Sequence, residues 1–211
     1  MASLDDLGHI HNLFFLVYDK GARIVGMIQH RLGRERFFGF LRLLYAEYKF
    51  KILRADDFQR LLEDYSGESW EQFFDDWLRS SRTCDWKIAN VDTVQEGNKF
   101  RTVARVVQQG DISEPIEVAV HLAPGSNSAA DTIVEAMPGI SGLADRKWDD
   151  SNSRQVDEKT WEFSFLTDRP PKQVEIDPEG WVIDQSPSNN DWKRDIKVRY
   201  SPLYTPLDEA P

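Results

Sequence analysis

The hydrophobic period of this chain changes once, near residue 84, from the three-and-four spacing of helices to the two-residue alternation of strands. One segment cannot satisfy both, because side chains return to one face of a helix about every 3.6 residues and to one face of a strand every second residue. The switch predicts an α+β chain: an all-helical part at residues 1–84, an antiparallel β-sandwich at 85–195 and an irregular tail at 196–211.

In the first part, Leu4 to Val17 reads as helical, with His9 and His11 two residues apart and so on different faces. Tyr18, Ala22, Val25 and Leu32 then form a stripe that Ile24 and Ile28 widen and Gly33 stops. Phe37, Phe40, Leu41, Leu44 and Tyr48 give a second amphipathic helix. Asp56 opens a third, with Gln59 spaced to reach back as a capping box, Phe58, Leu61, Leu62 and Tyr65 inward, and Gly67 at its end. Ser69 with Gln72 repeats the box ahead of the stripe Trp70, Phe73, Phe74, Trp77 and Leu78.

Beyond Cys84, Trp86 and Ile88 alternate with polar neighbours, Glu96-Gly97-Asn98 supplies a turn, and Phe100 to Val107 returns as a β-branched run, which together predict a hairpin. Ile116, Val118, Val120 and Leu122 alternate likewise, as do Trp161, Phe163 and Phe165, and Val174 with Ile176 leads into Asp177-Pro178. Gly125 to Asp131 reads as a polar loop. Short strands divided by turn residues, with no helical pattern between them, predict the sandwich.

Charge narrows the function classes. Lys plus Arg number 26 against 36 Asp plus Glu, a formal charge of −10, so the chain as a whole repels nucleic acid and anionic lipid, and neither is an expected partner. The acidity is concentrated late: twelve basic and fourteen acidic residues lie in 1–85, fourteen and twenty-two beyond. The single cysteine, Cys84, excludes an internal disulfide and a Cys-rich zinc site. No apolar run approaches the roughly 18 residues of a membrane span and no basic-then-apolar leader is visible, so the chain reads as soluble.

A search for catalytic motifs is mostly negative. There is no phosphate-binding Gly-x-x-x-x-Gly-Lys-[Ser/Thr], no dinucleotide glycine pattern, no Gly-x-Ser-x-Gly elbow and no His-Glu-x-x-His. His9, His11 and Cys84 do not assemble a metal site, since a His-x-His pair on a helix diverges and Cys84 stands at the far end of the helical part. His30 and His121 have no Ser, Cys or Asp at a spacing that proposes a triad. The adjacent acids Asp5-Asp6, Asp56-Asp57, Asp75-Asp76 and Asp149-Asp150 splay apart and read as solvated faces or caps.

Against those negatives stands an ordered set of short pieces. Val17-Tyr18-Asp19-Lys20-Gly21-Ala22, followed by Met27 and Leu32-Gly33, resembles the Tyr-x-Lys-Gly-Ala segment downstream of the zinc site in M1-family metallo-aminopeptidases, the gluzincins. Gly33 with Phe37, Asp57-Phe58 and Phe73-Phe74-Asp75-Asp76-Trp77-Leu78 follow in the order of that family. Val174-Glu175-Ile176-Asp177-Pro178 and Ser188-Asn189-Asn190-Asp191-Trp192 are similar to the close of the β-domain in some bacterial members.

On spacing alone Tyr18 is a tyrosine at a helix start with its hydroxyl hydrogen-bonded. The resemblance implies more: the segment's tyrosine donates its hydroxyl to the oxyanion of the tetrahedral intermediate, opposite a zinc ion that polarises the same carbonyl. It also implies that the zinc-binding His-Glu-x-x-His, the third ligand and the loop that binds the free amine belong to an upstream catalytic half absent from these 211 residues. A lone oxyanion donor neither holds a metal nor activates water. The expectation is therefore a C-terminal piece of an M1-like zinc aminopeptidase. By itself it is inactive and contains no cofactor; zinc and a peptide substrate belong to the intact parent. Removal from a larger enzyme would expose former interface, which predicts an apolar patch and self-association. The competing expectation is a non-enzymatic module that binds a protein or peptide along a strand edge or in a groove between the parts.

Overall fold

The computed structural model describes residues 15–123, 132–137 and 152–194, with side chains from Tyr18 onward. The helix start at Leu4, His9 and His11, the pairs Asp5-Asp6 and Asp149-Asp150, the 125–131 loop and the 196–211 tail lie outside the described residues.

The chain enters through one π-helical turn, Phe15–Lys20, that runs directly into α1, Gly21–Leu32. Gly33 alone separates α1 from α2, Arg34–Tyr48, at φ 80°, a left-handed angle that favours a residue without Cβ. Its N–H closes α1 on the Gln29 carbonyl at 2.8 Å, and its own carbonyl accepts the Phe37 N–H at 2.9 Å. α3, Ala55–Ser66, ends on left-handed Gly67, and α4, Glu71–Trp77, follows. Aromatic rings join these three helices: Phe40 of α2 meets Phe58 of α3 edge-on at 5.2 Å, and Phe58 meets Phe74 of α4 at 6.1 Å.

Three local expectations are corrected. The stripe Tyr18, Ala22, Val25 exists but faces solvent, while Ile24, Met27, Ile28 and Leu32 carry α1 into the core. Tyr18, Ala22 and Val25 stand at i, i+4 and i+7 and so share one face, which lies away from the face of Ile24, Met27, Ile28 and Leu32. Neither capping box closes. Gln59 instead donates to Glu63 Oε1 and accepts from Arg79, which also holds Asp56 at 2.9 Å, so a pair reaching from beyond α4 outcompetes the local cap. Ser69 Oγ does accept the Glu71 N–H at 3.4 Å, but Gln72 turns to Asp76, and Glu63 Oε1 takes the Trp70 N–H at 2.8 Å. Leu78 falls just past the end of α4 and is exposed rather than completing the Trp70 stripe.

After Cys84 the described strands form two four-stranded antiparallel sheets: β1 (Trp86–Glu96), β2 (Lys99–Gln108), β6 (Thr160–Thr167) and β5 (Ser153–Asp157) in one, β4 (Thr132–Ala136), β3 (Glu117–Leu122), β7 (Pro171–Ile176) and β8 (Asp191–Lys193) in the other. The expected hairpin is present, Glu96 pairing with Lys99 across a turn in which Gly97 has φ 64°. Register places the alternating apolar residues inward: Ala104 opposite Phe163 in the first sheet, Val120 opposite Val174 and Val118 opposite Ile176 in the second, all buried. The α+β reading stands.

One continuous apolar cluster runs from Ile24 and Phe40 through Trp70, Trp77 and Trp86 to Phe163 and Val174. At the junction Glu114, in the turn before β3, is buried. Its carboxylate takes a bidentate bond from Arg31 of α1 (2.7 and 2.8 Å) and one from the Trp77 indole of α4 (2.9 Å), and its carbonyl accepts from the Trp86 indole of β1 (3.0 Å). The Arg31 guanidinium also lies 4.9 Å from the Phe73 ring centre.

Candidate functional site

Tyr18 sits in the π-turn with 68% of its surface exposed, one turn ahead of Gly21. Next to it opens a groove of about 280 Å³. Gly21, Ile24, Val25 and Ile28 form one wall from α1, Leu53, Arg54 and Ala55 the entry to α3, and Phe58, Phe74 and Leu78 the floor. Among the described residues Arg54 is the only charged one in that lining. Tyr18 is outside the lining itself and precedes Gly21, the first lining residue, by three positions. Such an apolar groove accepts an aliphatic or aromatic side chain.

The other residues singled out from sequence lie elsewhere. His30, on α1, stacks on Trp181 at 5.2 Å and 17°, its Nε2 3.9 Å from Glu117 Oε1. Burial holds its pKa below the ordinary value against the field of Glu179, and Arg31 adds to the lowering. His121 has neighbours that its sequence spacing did not reveal: Nδ1 is 3.0 Å from Thr132 Oγ1 on β4 and Nε2 is 3.1 Å from Glu175 Oε2 on β7. Strand pairing assembles this Glu-His-Thr row, and only register could have disclosed it. Cys84 is buried, which pushes its thiol far above the usual range and leaves no thiolate for chemistry.

A second, polar cavity of about 150 Å³ gathers Asp177, Asp184 and Asp191 with Arg23. Two of those carboxylates serve the backbone. Asp177 accepts the N–H groups of Trp181 (2.9 Å) and Val182 (2.7 Å), and Asp184 those of Trp86 (2.9 Å) and Ser186 (2.7 Å). Burial raises the Asp177 pKa in spite of those bonds. Among the described residues no three His, Cys, Asp or Glu side chains stand where they could hold a metal ion together, so these residues do not fit a zinc ion. No helix among them is long and apolar enough to cross a membrane.

Comparison with known proteins bears on the helical part. Residues 3–77 match the family model of the peptidase family M1 domain. Aminopeptidase M1-D and Aminopeptidase M1-C of Oryza sativa subsp. japonica are each 34% identical to this chain over 62 residues, 29% of the chain. That stretch is 7% of either relative's length. The resemblance read from the Tyr18 segment and the helices after it is therefore borne out at the level of the family.

Proposed function

We propose that residues 1–84 supply the hydroxyl side of an M1-type aminopeptidase pocket, with Tyr18 as the donor to the oxyanion and the α1 groove as the wall along which a peptide lies. The observation that carries the reading is Tyr18, largely exposed, three residues ahead of the glycine that begins the groove lining and within the segment that matches the family. In an intact enzyme a bound zinc ion would polarise the scissile carbonyl and activate water, and peptides would be cut from the N-terminus. Tyr18 would meet the negative charge as it develops on the carbonyl oxygen, a hydrogen bond stronger in the transition state than in the substrate. Removing one such donor slows catalysis by about 10²–10³-fold. The β-sandwich, 85–195, is the scaffold against which the helices are held, with the division at residue 84 and the tail at 196–211 as the working boundaries.

The 211 residues alone do not hydrolyse peptides on this reading, because they contain no His-Glu-x-x-His and the described residues offer no ligand set. An aminoacyl chromogenic substrate with added zinc tests it: no turnover is expected, and turnover abolished by Tyr18→Phe would overturn the inactivity while supporting the tyrosine's role. A second reading, a non-enzymatic peptide- or protein-binding module, is favoured by the solvent-facing stripe of Tyr18, Ala22 and Val25 beside the groove. Self-association through exposed former interface belongs to the first reading, and sedimentation velocity on the wild type and Val25→Ser tests it; a monomer at all concentrations removes the self-association.

A further inference from the structure

Independently of Tyr18, we infer that the outer face of α2 and the turn after it form a docking surface for a bilayer carrying anionic headgroups. Arg34, Phe38, Arg42, Tyr45 and Lys49 recur at intervals of four, four, three and four, fall on one side of the helix, and are all exposed. The helix then ends in Lys49-Phe50-Lys51-Ile52, where cations alternate with apolar side chains that have almost no contact with their own protein: Phe50 is 97% and Ile52 84% exposed. The turn is fixed by the Lys51 N–H bonding to the Tyr48 carbonyl at 2.8 Å, with Phe50 at φ 62°. Arg34 lies 5.7 Å from the Phe38 ring centre and Lys49 5.8 and 5.2 Å from those of Tyr45 and Phe50, so charge and aromatic surface form one patch.

Charge complementarity identifies the occupant. Residues 34–54 contain six Lys or Arg and two acids, Glu35 and Glu47, a local +4 in a chain of −10. The nearest acids downstream are engaged, Asp56 by Arg79 and Asp57 by Arg60. Whole-chain repulsion is damped over a Debye length of about 8 Å at physiological salt, so a membrane meeting this face feels the local sign. A side chain projecting alone from a turn makes a poor flat protein interface. It suits the acyl boundary of a bilayer, where apolar residues insert and flanking cations stay among the headgroups.

Flotation with vesicles of phosphatidylcholine, alone or with about 30% phosphatidylserine, tests the assignment. The chain should partition onto the anionic vesicles only, with roughly tenfold or greater loss between about 0.1 and 0.5 M salt. Lys49→Glu with Lys51→Glu should weaken partition by about thirtyfold or more, from roughly 1 kcal/mol per cation. Phe50→Ser with Ile52→Ser should weaken it about tenfold or more with an unchanged melt, since neither side chain supports the core. Failure to float with anionic vesicles, or partition indifferent to both double variants, overturns the inference. So does a change of oligomeric state in Phe50→Ser/Ile52→Ser without vesicle binding, which would assign the patch to a second copy of the chain.

Discussion

Replacing Arg31 with Met probes how the helices are held to the sandwich. Arg31 is 25% exposed and its partner Glu114 only 4%, so the variant leaves a carboxylate in the core with the Trp77 indole as its remaining side-chain donor. Removing one member of a buried pair costs about 3–5 kcal/mol, and the partial exposure of Arg31 places the expectation near the lower end, about 3 kcal/mol. For a chain of this length that lowers Tm by about 6–12 °C. The penalty comes from the stranded charge rather than from the lost attraction, so adding Glu114→Gln should restore about half of it, with one amide oxygen still able to accept from Trp77. Urea titration followed by tryptophan fluorescence reads this directly, because the indoles of Trp77 and Trp86 both donate to residue 114. A loss below about 1 kcal/mol for Arg31→Met, or a double variant that loses the sum of the singles, would refute the reasoning.

Four further outcomes are expected. His30 has a folded pKa below its ordinary 6.5, mainly from burial, so the unfolded chain takes up the proton first as pH falls; its contribution is whole above pH 6.5 and is lost below it. The drop in Tm between neutral and mildly acid buffer should be smaller in His30→Gln, and equal slopes would remove His30 as the cause. Cys84, buried and with its pKa pushed up by that burial, should resist a thiol reagent in native buffer and react once the chain is unfolded in guanidinium. Gly110→Ala places a Cβ against the Thr83 carbonyl oxygen, the Asp85 nitrogen and the Cys84 backbone, so it should destabilise by about 1–3 kcal/mol in urea titration. Gly67→Ala meets open space at φ 75° and should cost about 1–2 kcal/mol; the two glycines would exchange ranks if crowding were unimportant.

Much of the architecture was legible in the chain. The aromatic stripe of Trp70, Phe73, Phe74 and Trp77, the Gly33 and Gly67 stops and the Gly97 hairpin follow from periodicity and backbone freedom, which act over a few residues. The Ser69 box failed because Gln72 turned to Asp76 within its own helix, and the Asp56 box because Arg79, distant in the chain, holds both Asp56 and Gln59. The Glu-His-Thr row was illegible for the same reason, since Thr132, His121 and Glu175 meet only when three strands pair. At the candidate site the family segment around Tyr18 could be read from sequence. The direction of its stripe could not, because apolar spacing marks a face without saying what will cover it.

The amino-acid order alone therefore determined where helix gives way to strand, which residues punctuate the elements, and which run of residues resembles the family. Those are local properties, set by side-chain period and backbone sterics. Tertiary structure alone decided that Ile24 rather than Val25 faces inward, that Glu114 fastens α1 and α4 to the sandwich, and that Phe50 and Ile52 stand in solvent. Each of those outcomes depends on which surfaces meet across long chain separations, and no spacing within a segment encodes that.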